Sequence, residues 1–456
     1  MNHSRDTFSS RLGFVFAAAG SAVGLGNLWR FPYLAAKYGG GIFILVYLML
    51  AVTLGFTLMI TEIAIGRKTG LSAVEAFKKL DKRFGFVGNL ASIVPFIIVP
   101  YYCVIGGWVI KYIFSFATGQ ISQAAQDTYF NNFIAQPVEP IVWFSIFAIL
   151  TTIVVIIGVQ KGIEKASSIL MPVLVVLIVI IAVFCMTQPG AMEGVKYYLL
   201  PDFSNFSVTT VLAAMGQLFY SMSLAMGIMI TYGSYMKKED DLRKSVRQIE
   251  IFDSAIALLA GLMIVPSVFV FSGGSEEALN KGPSLMFVTL PKVFDNMNIG
   301  SFNIGPIIGG AFFVLVLFAA LTSSISLLET CVSIICDKLH WSRKKASLIV
   351  TAYILAVGAV ISLGFGPLDF IQILGLGLLD FFDFISNSVL MPIVAIFTCI
   401  CIGYFVKPKA IYDEVELNGP FKEKKFYTVM LKYIAPICLI LILIFAISEA
   451  MGWIKV

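Results

Sequence analysis

Gly20-Ser21-Ala22-Val23-Gly24-Leu25-Gly26-Asn27 stands inside an apolar segment that runs from about Arg11 to Tyr38. The segment is long enough to cross a bilayer, yet these eight residues hold three glycines and an asparagine. Glycine weakens a helix interior by about 1 kcal/mol, and a side-chain amide at membrane depth needs a partner. Unwound backbone at that depth persists only where it is buried in protein or lines a cavity. The stretch therefore predicts a broken transmembrane helix with a ligand site near the bilayer midplane.

The rest of the chain fits that reading. Of 456 residues, 59% are apolar and 13% charged, against roughly 45–50% and 25% in soluble domains. This composition predicts an all-α polytopic membrane protein, one integral domain over residues 1–456. The first apolar run lacks a small-residue cleavage site and is too long for a signal peptide, so it reads as retained. Runs of spanning length number eleven, near 11–37, 41–66, 87–118, 140–159, 165–187, 207–236, 248–272, 305–336, 346–365, 370–405 and 428–452. Basic residues collect in alternate turns: Arg67 to Arg83, Lys161 and Lys165, Lys237 to Arg247, Lys338 to Lys345, and Lys407 to Lys425. The opposite turns hold Lys196, Lys281 and Lys292. Such alternation puts the N-terminus in the cytoplasm and, with eleven spans, the C-terminus outside.

Several functions find no support. All seven cysteines sit in apolar spans or at their ends, with neither a disulfide framework nor metal spacing. His3 and His340 are far apart in sequence. A phosphate-binding glycine loop with its lysine is missing, so ATP-driven transport is not expected. No nucleophile–base set points to an enzyme, and no catalytic residue is assigned. A nucleic-acid partner is not expected.

A second interruption falls in the sixth run, Ser221-Met222-Ser223-Leu224-Ala225-Met226-Gly227. Runs one and six open two five-span halves, approximately 11–187 and 207–405, with 428–452 as an additional helix. An odd number of spans per half puts the halves in opposite orientations. Matching breaks in corresponding spans predict a 5+5 inverted repeat.

These motifs carry a wider resemblance. Arg11-Leu12-Gly13, Gly20 to Asn27, Trp29-Arg30-Phe31-Pro32-Tyr33, Gly39-Gly40-Gly41, Glu62 to Arg67, Tyr101-Tyr102, Thr231 to Tyr235 and Leu321-Thr322-Ser323-Ser324 resemble the neurotransmitter:sodium symporter family, in its bacterial amino acid transporter branch. The likeness covers nearly the whole chain. It implies alternating access, a place in the bacterial inner (plasma) membrane, two sodium ions and an L-amino acid substrate.

The resemblance also implies the site. Backbone N–H groups of Gly24, Leu25 and Gly26, at a half-helix N-terminus, and the hydroxyl of Tyr102 would meet a substrate carboxylate. Amine-specific relatives carry an aspartate where this chain has Gly24. Carbonyls at the two breaks would meet the ammonium, with Ser21, Ala22 and Ser221 beside it. Ile98, Tyr220, Met226 and Leu327 would form the walls, with Ser223 and Ser323 at the side. That lining favours neutral hydrophobic amino acids, and leucine, tyrosine and tryptophan remain open. One sodium site would take Ala22, Asn27, Ser221 and Asp253. The second would take Gly20, Val23, Ala319, Thr322 and Ser323.

Many relatives have asparagine at Asp253. A carboxylate in a span marks function by default, although Asp253 follows Arg247 by six residues and the membrane edge is its other environment. Chloride-dependent relatives carry a serine where this chain has Ala257, so chloride is not expected. Arg30 with Asp383, or alternatively Asp380, would form the external gate. Arg5 with Asp337 would form the internal one, backed by Ser234 and Tyr235. Gly162 and Pro172 match a family pattern that loosens the cytoplasmic half of span five. A transport-dead sensor and a channel are the competing readings on this scaffold. Oligomeric state is not legible.

Overall fold

The computed structural model describes residues 6–271, 284–299 and 302–450. Arg5, expected at the internal gate, lies outside them. Apart from loops and two isolated bridges, the described chain is helical except for one pair of two-residue strands, Asn298–Ile299 with Phe302–Asn303.

Among the described residues, nine helices are long and apolar enough to cross a membrane: Gly41–Thr69, Lys82–Ala117, Glu139–Ile157, Val159–Met186, Leu242–Val270, Gly305–Leu339, Arg343–Leu363, Leu378–Phe405 and Lys424–Ser448. A tenth candidate is bent, Arg11–Ala22 meeting Gly26–Lys37 at 53°. These ten fall on runs two to five, seven to eleven, and one. Run six differs. Its helix Val208–Ser221 has 14 residues, a rise of about 21 Å, too little for a hydrocarbon core of about 30 Å. The chain then unwinds and resumes at Ile228–Gly233. The spans are numbered below by these eleven runs.

Local chemistry sets the ends. Ser10 caps span 1 by accepting from Gly13 N at 3.0 Å, and Ser207 caps span 6 by accepting from Thr210 N at 3.1 Å. Span 3 packs along span 8, and span 4 along span 3. At Gly107 a Cβ would come within 2.4 Å of Phe144 N, so only glycine permits that close approach. Span 5 turns a stripe outward, Ile169, Val173, Val176, Ile180 and Val183, each 40% exposed or more. Its three-and-four spacing is a lipid-facing helix surface. Spans 1, 3, 6 and 8 keep their facing surfaces inside, with the two breaks at the centre.

Candidate functional site

Both breaks are present, and several of their backbone groups have partners. Helix stops at Ala22, and Val23 and Gly24 are bends before the chain turns again at Leu25. In span 6, Ser223 (φ 52°), Ala225 (φ 61°) and Gly227 (φ 76°) are left-handed. Two non-glycine residues in that region cost energy and persist only where surroundings hold them. Glu62 from span 2 supplies a hold: its Oε1 accepts from Ala225 N at 2.7 Å. The breaks are tied to each other, Ser223 Oγ donating to Ser21 O at 2.9 Å.

A cavity opens between them. Its wall holds twelve of the thirteen expected substrate contacts: Ser21, Ala22, Gly24, Leu25 and Gly26; Ile98 and Tyr102; Tyr220, Ser223 and Met226; Ser323 and Leu327. Ile228 and Asn387 complete it. Ser221 is the exception and is turned away toward span 7. Leu25 N donates to Tyr102 Oη at 3.3 Å, which leaves the phenol proton able to meet an anion. A Cβ at Gly24 would stand 2.6 Å from Ser323 Oγ and 2.9 Å from Tyr102 Oη, and one at Gly26 would stand 2.5 Å from the Tyr220 ring. The glycines therefore hold space as well as loosening the helix.

Asp253 is fully buried. Its Oδ1 accepts from Asn27 Nδ2 at 2.7 Å and from Ser221 Oγ at 2.8 Å. Its Oδ2 accepts from Tyr47 Oη at 3.1 Å and Ser221 Oγ at 3.0 Å. Asn27 thus turns its nitrogen to Asp253, while its oxygen accepts from Gly24 N at 3.2 Å. Gln217 completes the cluster, donating to Gly26 O at 2.9 Å. Tyr47 and Gln217 escaped the sequence reading; each is a buried polar side chain in an apolar run, the one signal available.

The second expected ligand set also converges. Ser323 Oγ lies 3.3, 3.1 and 3.4 Å from the carbonyl oxygens of Gly20, Ser21 and Val23. Thr322 Oγ1 is 3.1 Å from Ala319 O, and a Cβ at Gly20 would be 3.1 Å from Thr322 Cβ. Spans 1 and 8 here bring carbonyl and hydroxyl oxygens together, the donor type a hard cation takes.

The external gate departs from expectation. Arg30 lies over the Tyr220 ring, 4.8 Å from its centre, and among the described residues no ion pair joins it to Asp383 or to Asp380. Asp383 is occupied from within, accepting from Tyr101 Oη at 3.1 Å and Asn387 Nδ2 at 2.6 Å. On the cytoplasmic side Asp337 accepts from Ser72 N at 2.8 Å. Tyr235 Oη donates to buried Glu329 at 2.6 Å. Arg343 grips both oxygens of Glu329 and donates to Val155 O at 2.8 Å. Phe8 is sealed among Phe14, Tyr232 and Tyr235. Glu164 accepts from Ser9 N at 2.7 Å and from Ser10 N at 3.3 Å. It stands in the π-turn Val159–Glu164 that contains Gly162, ahead of the helix holding Pro172.

The profile of the sodium:neurotransmitter symporter family matches residues 5–139 and 132–453. The chain belongs to that family. An uncharacterized sodium-dependent transporter of Bacillus subtilis, YhdH, is 36% identical, the match covering 95% of this chain and 96% of the relative. Human sodium- and chloride-dependent GABA transporter 2 is 25% identical over 90% of this chain and 75% of its own length. The solved structure of MhsT in complex with L-phenylalanine superposes with a TM-score of 0.87 at 39% identity, covering 97% of this chain and 100% of MhsT. This symporter-family chain is a multi-pass, sodium-coupled transporter and not an enzyme.

Proposed function

We propose that the chain is a symporter of neutral hydrophobic L-amino acids, driven by two sodium ions through alternating access, with eleven spans in a 5+5 inverted repeat, the N-terminus in the cytoplasm and the bacterial plasma membrane as its place. The observation that carries the substrate is the cavity wall. Backbone groups freed at the breaks and the Tyr102 hydroxyl are matched to a carboxylate and an ammonium, while Ile98, Met226, Ile228 and Leu327 are matched to an uncharged side chain. Burying an unpaired side-chain charge among them is costly. That MhsT has been solved with L-phenylalanine supports the same class.

Coupling follows from shared atoms. Ala22 lines the cavity, and Asn27 links Gly24 to Asp253. A cation between Ala22, Asn27, Ser221 and Asp253 and a substrate carboxylate at Gly24–Gly26 therefore attract each other and fix the same break. A second cation among Gly20, Val23, Ala319, Thr322 and Ser323 draws span 1 onto span 8. Asp253 supplies the negative charge that offsets the first cation, so chloride is not needed. Both oxygens of its carboxylate already occupy the hydroxyls of Tyr47 and Ser221, the donors an anion would otherwise require.

The test is binding of the twenty L-amino acids to purified protein in sodium and in potassium, followed by uptake into proteoliposomes. Sodium-dependent binding and concentrative uptake of apolar amino acids are expected. Equal accumulation in potassium, competition by lysine or glutamate as strong as by leucine, or binding without transport would each overturn the reading.

A further inference from the structure

Asn387 is the polar cavity residue that neither the sequence nor the ion-coupling scheme accounts for. It stands in span 10, four residues after Asp383, and is the one wall residue contributed by that span. Its Nδ2 donates to Asp383 Oδ1 at 2.6 Å and to Tyr101 Oη at 3.1 Å. Tyr101 in turn donates to the same Asp383 oxygen at 3.1 Å. A carboxylate only accepts, so this triad decides which end of the amide faces it. The reverse orientation would set oxygen against oxygen. The amide oxygen is left over. It is shielded from solvent and has no donor among the described residues.

Buried acceptors are ordinarily paired, and leaving one unpaired is unfavourable. Among the other polar groups of the wall, Ser21 is engaged with Ser223, Ser323 with carbonyls of span 1 and Tyr102 with Leu25, and Tyr220 lies beneath Arg30. The two ends of an amino acid find their partners at the breaks. What remains for Asn387 Oδ1 is the substrate side chain, in a cavity whose wall also holds Ile98, Met226, Ile228 and Leu327.

We propose that Asn387 is a specificity-determining residue, selecting apolar amino acids whose side chain carries a hydrogen-bond donor, the phenol of tyrosine or the indole N–H of tryptophan. This rests on the amino-acid reading above and narrows it. A pocket built to bond a substrate donor discriminates strongly against the analogue that lacks it, because the pocket group is then stranded.

The experiment displaces tritiated L-phenylalanine from purified protein in sodium. Competitors are tyrosine against phenylalanine, which differ by one hydroxyl, and tryptophan against 2-naphthylalanine, which lacks the N–H. The wild type should favour the donor-bearing member of each pair by about tenfold, with the affinities set by the single bond. Asn387→Leu should bring both ratios close to one, a change that a general loss of packing would not produce. A wild type that binds both members of each pair equally, or a variant that keeps the wild-type ratios, overturns the inference alone. Absence of sodium-dependent binding for all four overturns the symporter reading and the inference with it. The wild-type ratios need no variant, so poor folding of Asn387→Leu leaves the test intact.

Discussion

Tyr47 Oη donates to Asp253 Oδ2 at 3.1 Å, in the interior of the bundle and beside the break of span 1. A tyrosine and a carboxylate from spans 2 and 7 thus share a site whose other hydroxyl, on Ser221, also points at Asp253. Asp253→Asn keeps the shape and removes the charge. Sodium affinity should fall by tenfold or more, since a low-dielectric site magnifies a lost charge. Wild-type uptake should be the same in gluconate and in chloride. Asp253→Asn combined with Ala257→Ser should regain activity in chloride alone. Uptake that collapses in gluconate for the wild type would show that the counter-charge is chloride.

Gly24→Ala would push a methyl group into Ser323 Oγ and Tyr102 Oη, both under 3 Å away. Overpacking of this kind costs about 1–3 kcal/mol, so substrate affinity should drop by about tenfold or more while the protein remains folded. Equilibrium binding set beside thermal unfolding separates the two effects. Unchanged affinity would show that the carboxylate end does not use this corner.

Ser323→Ala removes the hydroxyl that touches three carbonyls of span 1. The sodium concentration for half-maximal uptake should rise several-fold, with the order of preferred amino acids preserved. A change in substrate preference without a change in sodium dependence would assign Ser323 to the pocket only.

Glu329 is fully buried and held by Arg343 and Tyr235. Arg343→Ala strands that carboxylate, and breaking a buried pair costs about 3–5 kcal/mol. The cytoplasmic side should open more often. Cys331, buried two residues along the same helix, should then react faster with a thiol reagent, as followed by peptide mass spectrometry. Slow labelling equal to the wild type would show that the aromatic seal around Phe8 suffices.

Glu62→Ala removes the acceptor for Ala225 N. An orphaned buried N–H costs about 1–3 kcal/mol, so the melting temperature should fall, and substrate binding with it. Glu62→Gln keeps an oxygen acceptor and should restore most of both.

The breaks were legible because glycine, serine and asparagine have no ordinary reason to cluster inside a spanning run, and the expected cavity lining came from the family resemblance that these and the other motifs carry. Ser221 illustrates where that reasoning stops. A hydroxyl one residue before the unwound stretch can face either the cavity or the neighbouring helix, and the proximity of Asp253 decided it. Arg30 shows the same limit for charges. Opposite signs on spans 1 and 10 suggest a pair, but Asp383 has nearer donors in Tyr101 and Asn387, and the guanidinium settles on an aromatic face instead. Asn387 itself is invisible beforehand, since its significance lies in which end of an amide is left over. Span 6 could be located but not measured, because hydropathy counts residues across a break that the backbone does not bridge as helix.

A counter-charge fixed to the chain also changes the electrical work of transport. An anion carried along with two cations cancels half the charge moved, whereas the carboxylate of Asp253 never crosses. In the two-sodium, chloride-free cycle proposed above, a zwitterionic substrate then brings two net positive charges across. Each charge draws about 2.3 kcal/mol from every 100 mV of membrane voltage, so the drive is twice that of a carrier whose halide travels with its load. Voltage alone, without a steep salt gradient, becomes a large source of concentrating power.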